Sequence, residues 1–476
     1  MKSSKTNNIS ALVLKAMGIF GGVQVFSILC AIVRTKLISI WIGATGVGLF
    51  GLYNTAIEMI ASITQLGLRN SAVRDLATAD NDIRNSIIKV IRRWAWVLGI
   101  FGAITTFSLS PILSQWTFGD DRHSWGFIVL SIVLLLTSIT GGELAILQGT
   151  ERLHALARAS IWGAMGGLAI SIPLFYYLRI DSIIPSIIAY ALLTCVAAIC
   201  YRYKSPSPPV SIGWKETAHM GKGFIVLGIF MTISSFAVNV GSYIFMSYLN
   251  NRYGTEAVGH YQAGFTIVNR YVGLVFAAIA MEYYPRLTRV NGSRRRESLF
   301  VSHEMTIALL VLIPCVTILV ATRQIVITLL YSPDFLVISN YVAWALVGTF
   351  LRAVSWCMAF VILARGDGKV YLASETGSVA IMLLFNIAGY ELWGLDGLGY
   401  SYIAWFAAYT AIIASIYTFR YRLSLPKGLI ALVAISLSIG GLSVLSSQTL
   451  PWFGVIIAIM TTLSSGYYLK RLIVKH

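Results

Sequence analysis

One arginine stands in the middle of a segment that is otherwise apolar. The segment TIVNRYVG, residues 266–273, contains Arg270, and the next full charge toward the end of the same run is Glu282. An arginine at the centre of a membrane helix costs about 2.5–3.5 kcal/mol on insertion scales, so we expect the charge to be used or offset. Because a planar guanidinium can donate two parallel hydrogen bonds to a phosphate, Arg270 predicts an anion-binding site.

Two further charges lie at the centres of apolar runs. Glu58 is the only charged residue between positions 46 and 68, and Arg352 is the only one between positions 336 and 364. One hypothesis is a water-filled cavity in which arginines hold an anion while Glu58 binds a coupling cation or pairs with an arginine. The alternative is a buried ion pair with no role in transport.

Other polar residues within or at the ends of the apolar runs complete the set of candidates. The basic ones close the first run on its outer side and would join the anion site: Arg34 and Lys36. Two acids lie nearer the cytoplasmic ends of their runs and are candidates for ion coupling or ion pairing: Glu143 and Glu375. Side chains near helix ends can also reach water, which is the competing explanation for these acids.

Amides and potential metal ligands complete the survey of polar residues. Three amides are candidate cavity groups, although hydrogen bonding between helices would explain them equally well: Asn54, Asn239 and Asn269. The five cysteines all fall inside apolar runs, and no histidine has a partner at metal-ligand spacing. We therefore predict no metal site and no disulfide.

Composition defines the elements that must position these residues. The chain has 476 residues, of which 57% are hydrophobic and 12% are charged, against about 25% charged in a typical soluble domain. This predicts an all-α polytopic membrane protein, because apolar runs of about 20 residues recur throughout. Fourteen spans are predicted, at 16–40, 45–67, 90–114, 125–147, 158–178, 183–203, 223–249, 256–284, 305–330, 337–363, 372–393, 397–419, 428–446 and 451–470.

The distribution of basic residues supports this count. With the N-terminus in the cytoplasm, the inner segments hold 28 of the 36 Lys and Arg residues, as the positive-inside rule requires. We therefore expect a multi-pass membrane protein with both termini in the cytoplasm. The net charge of +17 is spread over short inner loops near anionic lipid headgroups, which argues against nucleic acid as a partner.

An internal duplication predicts two lobes. The segment GATGVGLFGLYNTAIEM from Gly43 matches GTEAVGHYQAGFTIVNR from Gly254 at a constant offset of 211 residues. The two segments open spans that are six apart, so the repeats share one orientation in the membrane. The predicted domains are an N-lobe at 1–203, a cytoplasmic linker at 204–222, a C-lobe at 223–426, and two additional helices at 427–476. The repeat places Glu58 opposite Asn269.

No enzyme motif stands out. The glycine-rich turn RGDGK at 365–369 lacks the spacing and the following Ser or Thr of a phosphate loop, and the outer loops are short. We expect no catalytic activity and no cofactor. Energy would come from a proton or sodium gradient, or from the substrate gradient itself.

The chain resembles a known superfamily. Several stretches are similar to Wzx-type polysaccharide flippases of the multidrug/oligosaccharidyl-lipid/polysaccharide (MOP) exporter superfamily: GATGVGLFGLYN (43–54), QLGLRNSAVRDLA (65–77), EYYPRLTRV (282–290), LLYSPDF (329–335) and AWALVGTFLRAVSWCMAFVILARGDGKVYLASE (343–375).

This resemblance implies a function. The substrate would be an oligosaccharide on polyprenyl diphosphate, such as an O-antigen unit or related surface polysaccharide. It would cross by alternating access through a cationic cavity between the lobes. Related flippases use arginines on helices one and eight, where Arg34 and Arg270 stand here. We expect a monomer among membrane lipids, with a polysaccharide polymerase and glycosyltransferases as partners. Two alternatives remain: an ion-coupled multidrug exporter of the same superfamily, and a scaffold for glycan assembly without transport.

Overall fold

A computed structural model describes residues 2–203, 213–290, 293–449 and 451–474. Within these ranges it does not describe the side chains of residues 2–20, 78, 81–82, 218–231, 281, 451 and 472–474. The predicted linker at 204–222 therefore lies partly outside the described residues.

Every regular element in the described residues is helical. The α-helices are α1 (Lys2–Trp41), α2 (Ala44–Thr64), α3 (Leu68–Thr78), α4 (Asn81–Phe118), α5 (Ser124–Gly149), α6 (Leu153–Leu178), α7 (Ile183–Cys200), α8 (Trp214–Tyr253), α9 (Thr255–Thr266), α10 (Gly273–Val290), α11 (Arg294–Leu330), α12 (Ser339–Ala364), α13 (Gly368–Ser415), α14 (Lys427–Thr449) and α15 (Pro451–Val474). Short 3₁₀ turns at Arg179–Ser182 and Pro333–Ile338 and π-helical segments at Ile267–Tyr271 and Ile416–Arg420 complete the set. The prediction of an all-α protein is confirmed.

Eleven segments of the described residues are long and apolar enough to cross a membrane. Two of them, Leu153–Cys200 with 48 residues and Gly368–Arg420 with 53, are more than twice the length that one crossing needs. The first is interrupted by the 3₁₀ turn before α7, and the second by Gly394, whose φ of 60° breaks α13. Each long segment is thus divided where the sequence places a boundary between two spans, and the count of fourteen stays a prediction.

Two glycines at matching positions begin corresponding helices. Gly43 precedes α2 and Gly254 precedes α9, and both have a φ of 85°. Residues with a Cβ rarely adopt this conformation, so glycine is the residue that lets the chain turn directly into the next helix. The two positions are 211 residues apart, which is the offset of the predicted repeat.

The chain divides into two compact units, Met1–Val258 and Gly259–His476. In the first unit α4 packs on α5, α6 packs on α7 and α1, and α8 packs on α2 and α4. In the second unit α12 packs on α13, and α11 packs on α12, α14 and α15. The lobe boundaries of the sequence analysis stay a prediction.

Each unit contains an arginine–glutamate pair at the ends of adjacent helices. In the first unit Arg92 Nε donates to Glu143 Oε1 at 2.7 Å, and its Nη2 donates to Glu143 Oε2 at 3.0 Å. In the second, Arg365 Nη2 and Nε donate to the two carboxylate oxygens of Glu297 at 2.6 and 3.2 Å. In the first unit the arginine lies on the earlier of the two helices, whereas in the second unit the glutamate lies on the earlier helix. Both pairs therefore hold two adjacent helices together, with the order of acid and base along the chain exchanged.

Candidate functional site

The guanidinium of Arg352 lies in a cage of neutral side chains in the second unit. Arg352 Nη1 donates to Asn269 Oδ1 at 2.9 Å and to Tyr402 Oη at 3.3 Å. Tyr402 Oη in turn donates to Asn269 Oδ1 at 3.2 Å, and Arg352 Cζ lies 5.0 Å from the ring centroid of Phe276. Three elements therefore fix the orientation of one cation.

Local helix geometry brings the three polar groups together. Arg352 lies in the middle of α12, and Tyr402 follows the break of α13 at Gly394. Asn269 lies in the π-helical segment between α9 and α10, where its Nδ2 donates to Phe265 O at 3.3 Å. A π-helical segment changes the direction of the side chains that follow it, and such segments are frequent at functional sites.

Among the described residues, the partners of Arg352 orient its charge without neutralising it. No carboxylate of the described residues forms an ion pair with Arg352. Its side-chain hydrogen bonds to Asn269 and Tyr402 both use Nη1. Its Nε and Nη2 together form the edge of a guanidinium that binds a carboxylate or a phosphate with two parallel bonds. Arg352 is half-buried, so the cage presents an oriented cation to an incoming anion.

Arg270 occupies the position after Asn269 on the same π-helical segment and is exposed. The sequence singled out Arg270 as the central cation, yet the side chain that contacts Arg352 is its neighbour Asn269. Both remain candidates for the same predicted site.

A polar cavity of about 380 Å³ lies in the first unit, between α2, α3 and α8. Its lining includes Glu58, Gln65, Arg69, Asn70, Ser235 and Asn239. Two of these were predicted to be cavity residues, and the structure brings them together: Asn239 Nδ2 donates to the backbone oxygen of Glu58 at 3.4 Å. Glu58 itself is exposed.

A strained turn shapes one wall of this cavity. Leu66 has a φ of 45° and Gly67 a φ of 61°, so two consecutive residues between α2 and α3 are left-handed. This conformation costs a non-glycine residue about 1–2 kcal/mol, and such strain clusters at functional sites. The turn carries Gln65 on one side and Asn70 on the other into the lining.

Asn54 does not line this cavity wall. Its Nδ2 donates to Phe50 O at 2.7 Å, one turn earlier in α2. This bond satisfies the amide within its own helix.

The arginine near the end of α1 lies close to two aromatic rings. Arg34 Cζ is 4.7 Å from the ring centroid of Phe50 and 4.6 Å from that of Tyr190. Contacts of this kind stabilise a cation in an apolar setting by about 0.5–2 kcal/mol. Lys36 follows on the same helix and is half-buried.

The two acids that the sequence places near cytoplasmic helix ends have different surroundings. Glu143 is buried and paired with Arg92, whose Nη2 also donates to Tyr203 O at 2.9 Å. Glu375 instead accepts a hydrogen bond of 2.7 Å from Tyr409 Oη, and both residues lie on α13 on opposite sides of its break. The first acid has a cationic partner and the second a neutral one.

Several residues at these sites carried no signal in the sequence. Tyr402 and Phe276 lie in ordinary apolar runs, and the sequence gives no indication that they surround Arg352. Gln65, Arg69 and Asn70 lie where the sequence predicted the end of the second span and an inner loop. Polar residues such as those of QLGLRN are usual after an apolar helix, so they gave no signal of a cavity.

The chain is similar in sequence to a protein family and to two known proteins. A family described as polysaccharide biosynthesis protein matches residues 46–340. The chain is 22% identical over 400 residues to the Lipid III flippase of Escherichia coli (strain K12), covering 80% of this chain and 92% of that relative. The Lipid III flippase of Shigella flexneri matches to the same extent.

Solved structures share the fold. A structure of the lipid II flippase MurJ in an inward closed conformation has a TM-score of 0.68 at 12% identity, covering 96% of this chain and 99% of that chain. An inward-facing MATE family multidrug resistance transporter of the MOP superfamily has a TM-score of 0.66 at 14% identity, covering 86% and 95%. This chain therefore shares its helical fold with these two membrane proteins. The chain belongs to the polysaccharide biosynthesis protein family.

Proposed function

We propose that this protein is a flippase that moves an oligosaccharide linked to polyprenyl diphosphate across a bacterial inner membrane. Membership of the polysaccharide biosynthesis family and similarity to the Lipid III flippase support the proposal. The observation that carries it is the cage of Arg352, in which a membrane-embedded cation is oriented by Asn269 and Tyr402 without a carboxylate partner among the described residues.

A diphosphate matches the chemistry of this cage. It carries negative charge on several oxygens, and the Nε and Nη2 edge of Arg352 can donate two parallel hydrogen bonds to two of them. The cost of placing an arginine at this depth would be offset while the anion is bound. Arg270, Arg34 and Lys36 are proposed as further cations along the path of the head group.

Transport requires two states and a driving force. We propose alternating access through a cationic cavity between two lobes at 1–203 and 223–426, joined by the linker at 204–222 and followed by two additional helices. Fourteen spans would leave both termini in the cytoplasm. Glu58 and Glu375 are proposed as coupling groups for H⁺ or Na⁺, because both are carboxylates within predicted spans, and Glu375 accepts a hydrogen bond from the neutral Tyr409. Glycosyltransferases and a polymerase would supply and consume the substrate.

An ion-coupled multidrug exporter is the second candidate. It is favoured by the fold shared with MATE transporters, one of which has a TM-score of 0.66. Sites for apolar organic cations are lined mainly by hydrophobic and aromatic side chains. Most residues that line the cavity between α2, α3 and α8 carry an amide, a hydroxyl or a charge. The cage around Arg352 holds a cation. Both features favour an anionic glycan carrier over a cationic drug.

Reconstitution separates the candidates. The purified protein is placed in proteoliposomes that contain a fluorescent lipid-linked oligosaccharide, and the labelled head groups exposed in each leaflet are measured over time. A parallel set of vesicles is loaded with a fluorescent lipophilic cation. We expect movement of the lipid-linked glycan between leaflets without transport of the cation. Transport of the cation alone would replace the flippase with the exporter, and movement of neither would favour a scaffold.

A further inference from the structure

The cavity between α2, α3 and α8 is a second polar site in addition to the Arg352 cage, and the diphosphate does not account for it. Its volume of about 380 Å³ lies within the usual range of about 300–1,000 Å³ for small-molecule sites. Its lining alternates hydrogen-bond donors and acceptors from three helices. Glu58 and Asn239 lie within predicted spans, where polar side chains are expensive and generally functional, so this lining is a candidate site for a ligand.

The hydrogen bonds of the fold leave part of this lining available. Gln65 Nε2 donates to Thr137 Oγ1 at 3.3 Å. This bond positions the amide and does not use the amide oxygen. Asn239 Nδ2 makes a long bond of 3.4 Å to Glu58 O, and its Oδ1 accepts none from the described residues. The amide of Asn70 makes no side-chain hydrogen bond within the described part of the chain, and Asn70 is exposed. Three amides are thus placed on the cavity with unused capacity.

Charge excludes some ligand classes. Glu58 and Arg69 contribute one negative and one positive charge, so the lining has no net charge of the kind that binds a diphosphate. Most of the lining residues carry a polar group, with Ala61 and Leu68 as the apolar side chains, which favours a ligand that has both hydrogen-bonding groups and carbon surface. Amides and hydroxyls around a neutral cavity match the hydroxyl and acetamido groups of a sugar ring.

We propose that this cavity is a recognition subsite for a neutral sugar residue of the transported glycan. Gln65, Asn70 and Asn239 form its hydrogen-bonding set. The left-handed turn at Leu66 and Gly67 positions the first two residues of this set. The inference rests on the proposed flippase function and adds to it a determinant of glycan selectivity that is separate from the diphosphate cage.

Binding measurements with two ligands test this assignment. The dissociation constants of the detergent-solubilised protein are measured for a lipid-linked oligosaccharide and for polyprenyl diphosphate without sugar. The variants are Gln65→Ala, Asn70→Ala and Asn239→Ala. Gln324→Ala is the control, because Gln324 is an exposed amide on α11 outside the cavity. The thermal midpoint of each variant is measured first, so that a folding defect is recognised.

We expect each cavity variant to weaken binding of the glycan-bearing lipid by about three- to tenfold, the range for one lost hydrogen bond. Binding of the glycan-free lipid should change less than twofold, and the control should change neither. If the parent binds the glycan-bearing lipid and all three variants match it, the subsite is wrong while the flippase proposal stands. Equal weakening for both lipids also overturns the subsite, and a parent that binds neither lipid contradicts the proposed function itself. If an alanine variant fails to fold, Asn70→Ser and Asn239→Ser replace it in the same measurement, because both retain a smaller polar group.

Discussion

Asn269 and Arg352 meet through one hydrogen bond of 2.9 Å between Asn269 Oδ1 and Arg352 Nη1. The same oxygen accepts a bond from Tyr402, so a single neutral acceptor fixes the orientation of both donors. An aspartate at position 269 would have almost the same shape and would neutralise the guanidinium. The neutrality of Asn269 therefore keeps the charge of Arg352 available to a ligand.

The first prediction follows from this neutrality. Asn269→Asp should form an ion pair with Arg352 and slow movement of the lipid-linked glycan by about tenfold or more, because a hydrogen bond to a charged group contributes about 1.5–3 kcal/mol. The initial rate in proteoliposomes measures the effect. Gln324→Glu, which adds one negative charge at an exposed position, is the matched control and should transport like the parent. An Asn269→Asp variant as fast as the parent would show that the charge of Arg352 is not used.

The second prediction concerns the pair that joins α11 to α12. The side chain of Glu297 is fully buried and that of Arg365 is 23% exposed. Glu297→Gln leaves Arg365 without its charge partner, and loss of one member of a buried pair costs about 3–5 kcal/mol. Unfolding in a denaturing detergent series should therefore show a marked loss of stability.

Glu282→Gln provides the contrast for this measurement. Glu282 and Arg286 form an ion pair one helical turn apart, with both side chains more than half exposed. Exposed pairs of this kind contribute about 0–1 kcal/mol. Equal losses in Glu282→Gln and Glu297→Gln would contradict the structural importance assigned to the buried pair.

The third prediction is a pH dependence of stability at the turn before α13. Burial acts to raise the pKa of the Asp367 carboxyl, but hydrogen bonds from Arg420 and Tyr421 outweigh it and lower the pKa below its ordinary value. Arg420 Nη2 lies 2.8 Å from Asp367 Oδ2, and Tyr421 Oη lies 3.2 Å from the same atom. The ionised carboxylate therefore joins the start of α13 to the residues beyond its end.

The sign of the dependence follows from the lowered pKa. The carboxylate stabilises the folded state above the ordinary pKa of about 3.9, and this contribution is lost as pH falls through the lower folded value. Asp367→Asn should therefore lower the thermal midpoint at pH 7 and have little effect once the pH is below the lowered pKa of Asp367. A difference between variant and parent that grows toward acid pH would contradict this assignment.

The long helices could be predicted because apolar run length determines them, whereas the short polar helix α3 could not. Each predicted span coincides with helical residues of the described chain, and the boundaries at Gly43 and Gly254 follow from residues that permit a sharp turn. The cage around Arg352 could not be predicted. The π-helical segment changes the register at Asn269, and the break at Gly394 determines where Tyr402 lies.

The cavity of the first unit could likewise be predicted only in part from the sequence. Glu58 and Asn239 were recognised because they interrupt apolar runs, which leaves a visible signal. Arg69 and Asn70 lie on the short helix α3, in a region that the sequence assigned to a polar inner loop. Polar residues in a loop are expected everywhere, so nothing in the sequence distinguishes those that line a cavity. Packing against α8 makes that distinction.

The central claim is that the oriented charge of Arg352 carries the anionic head group of a lipid-linked glycan. The most direct test is the initial rate of glycan movement in proteoliposomes for Arg352→Gln and Arg352→Lys beside the parent, with the exposed Arg122→Gln as a control for loss of one positive charge. We predict at least a tenfold loss for Arg352→Gln and a smaller loss for Arg352→Lys, because lysine keeps the charge without the two-pronged geometry. The control should keep the parent rate. Parent rates in both Arg352 variants would contradict the account.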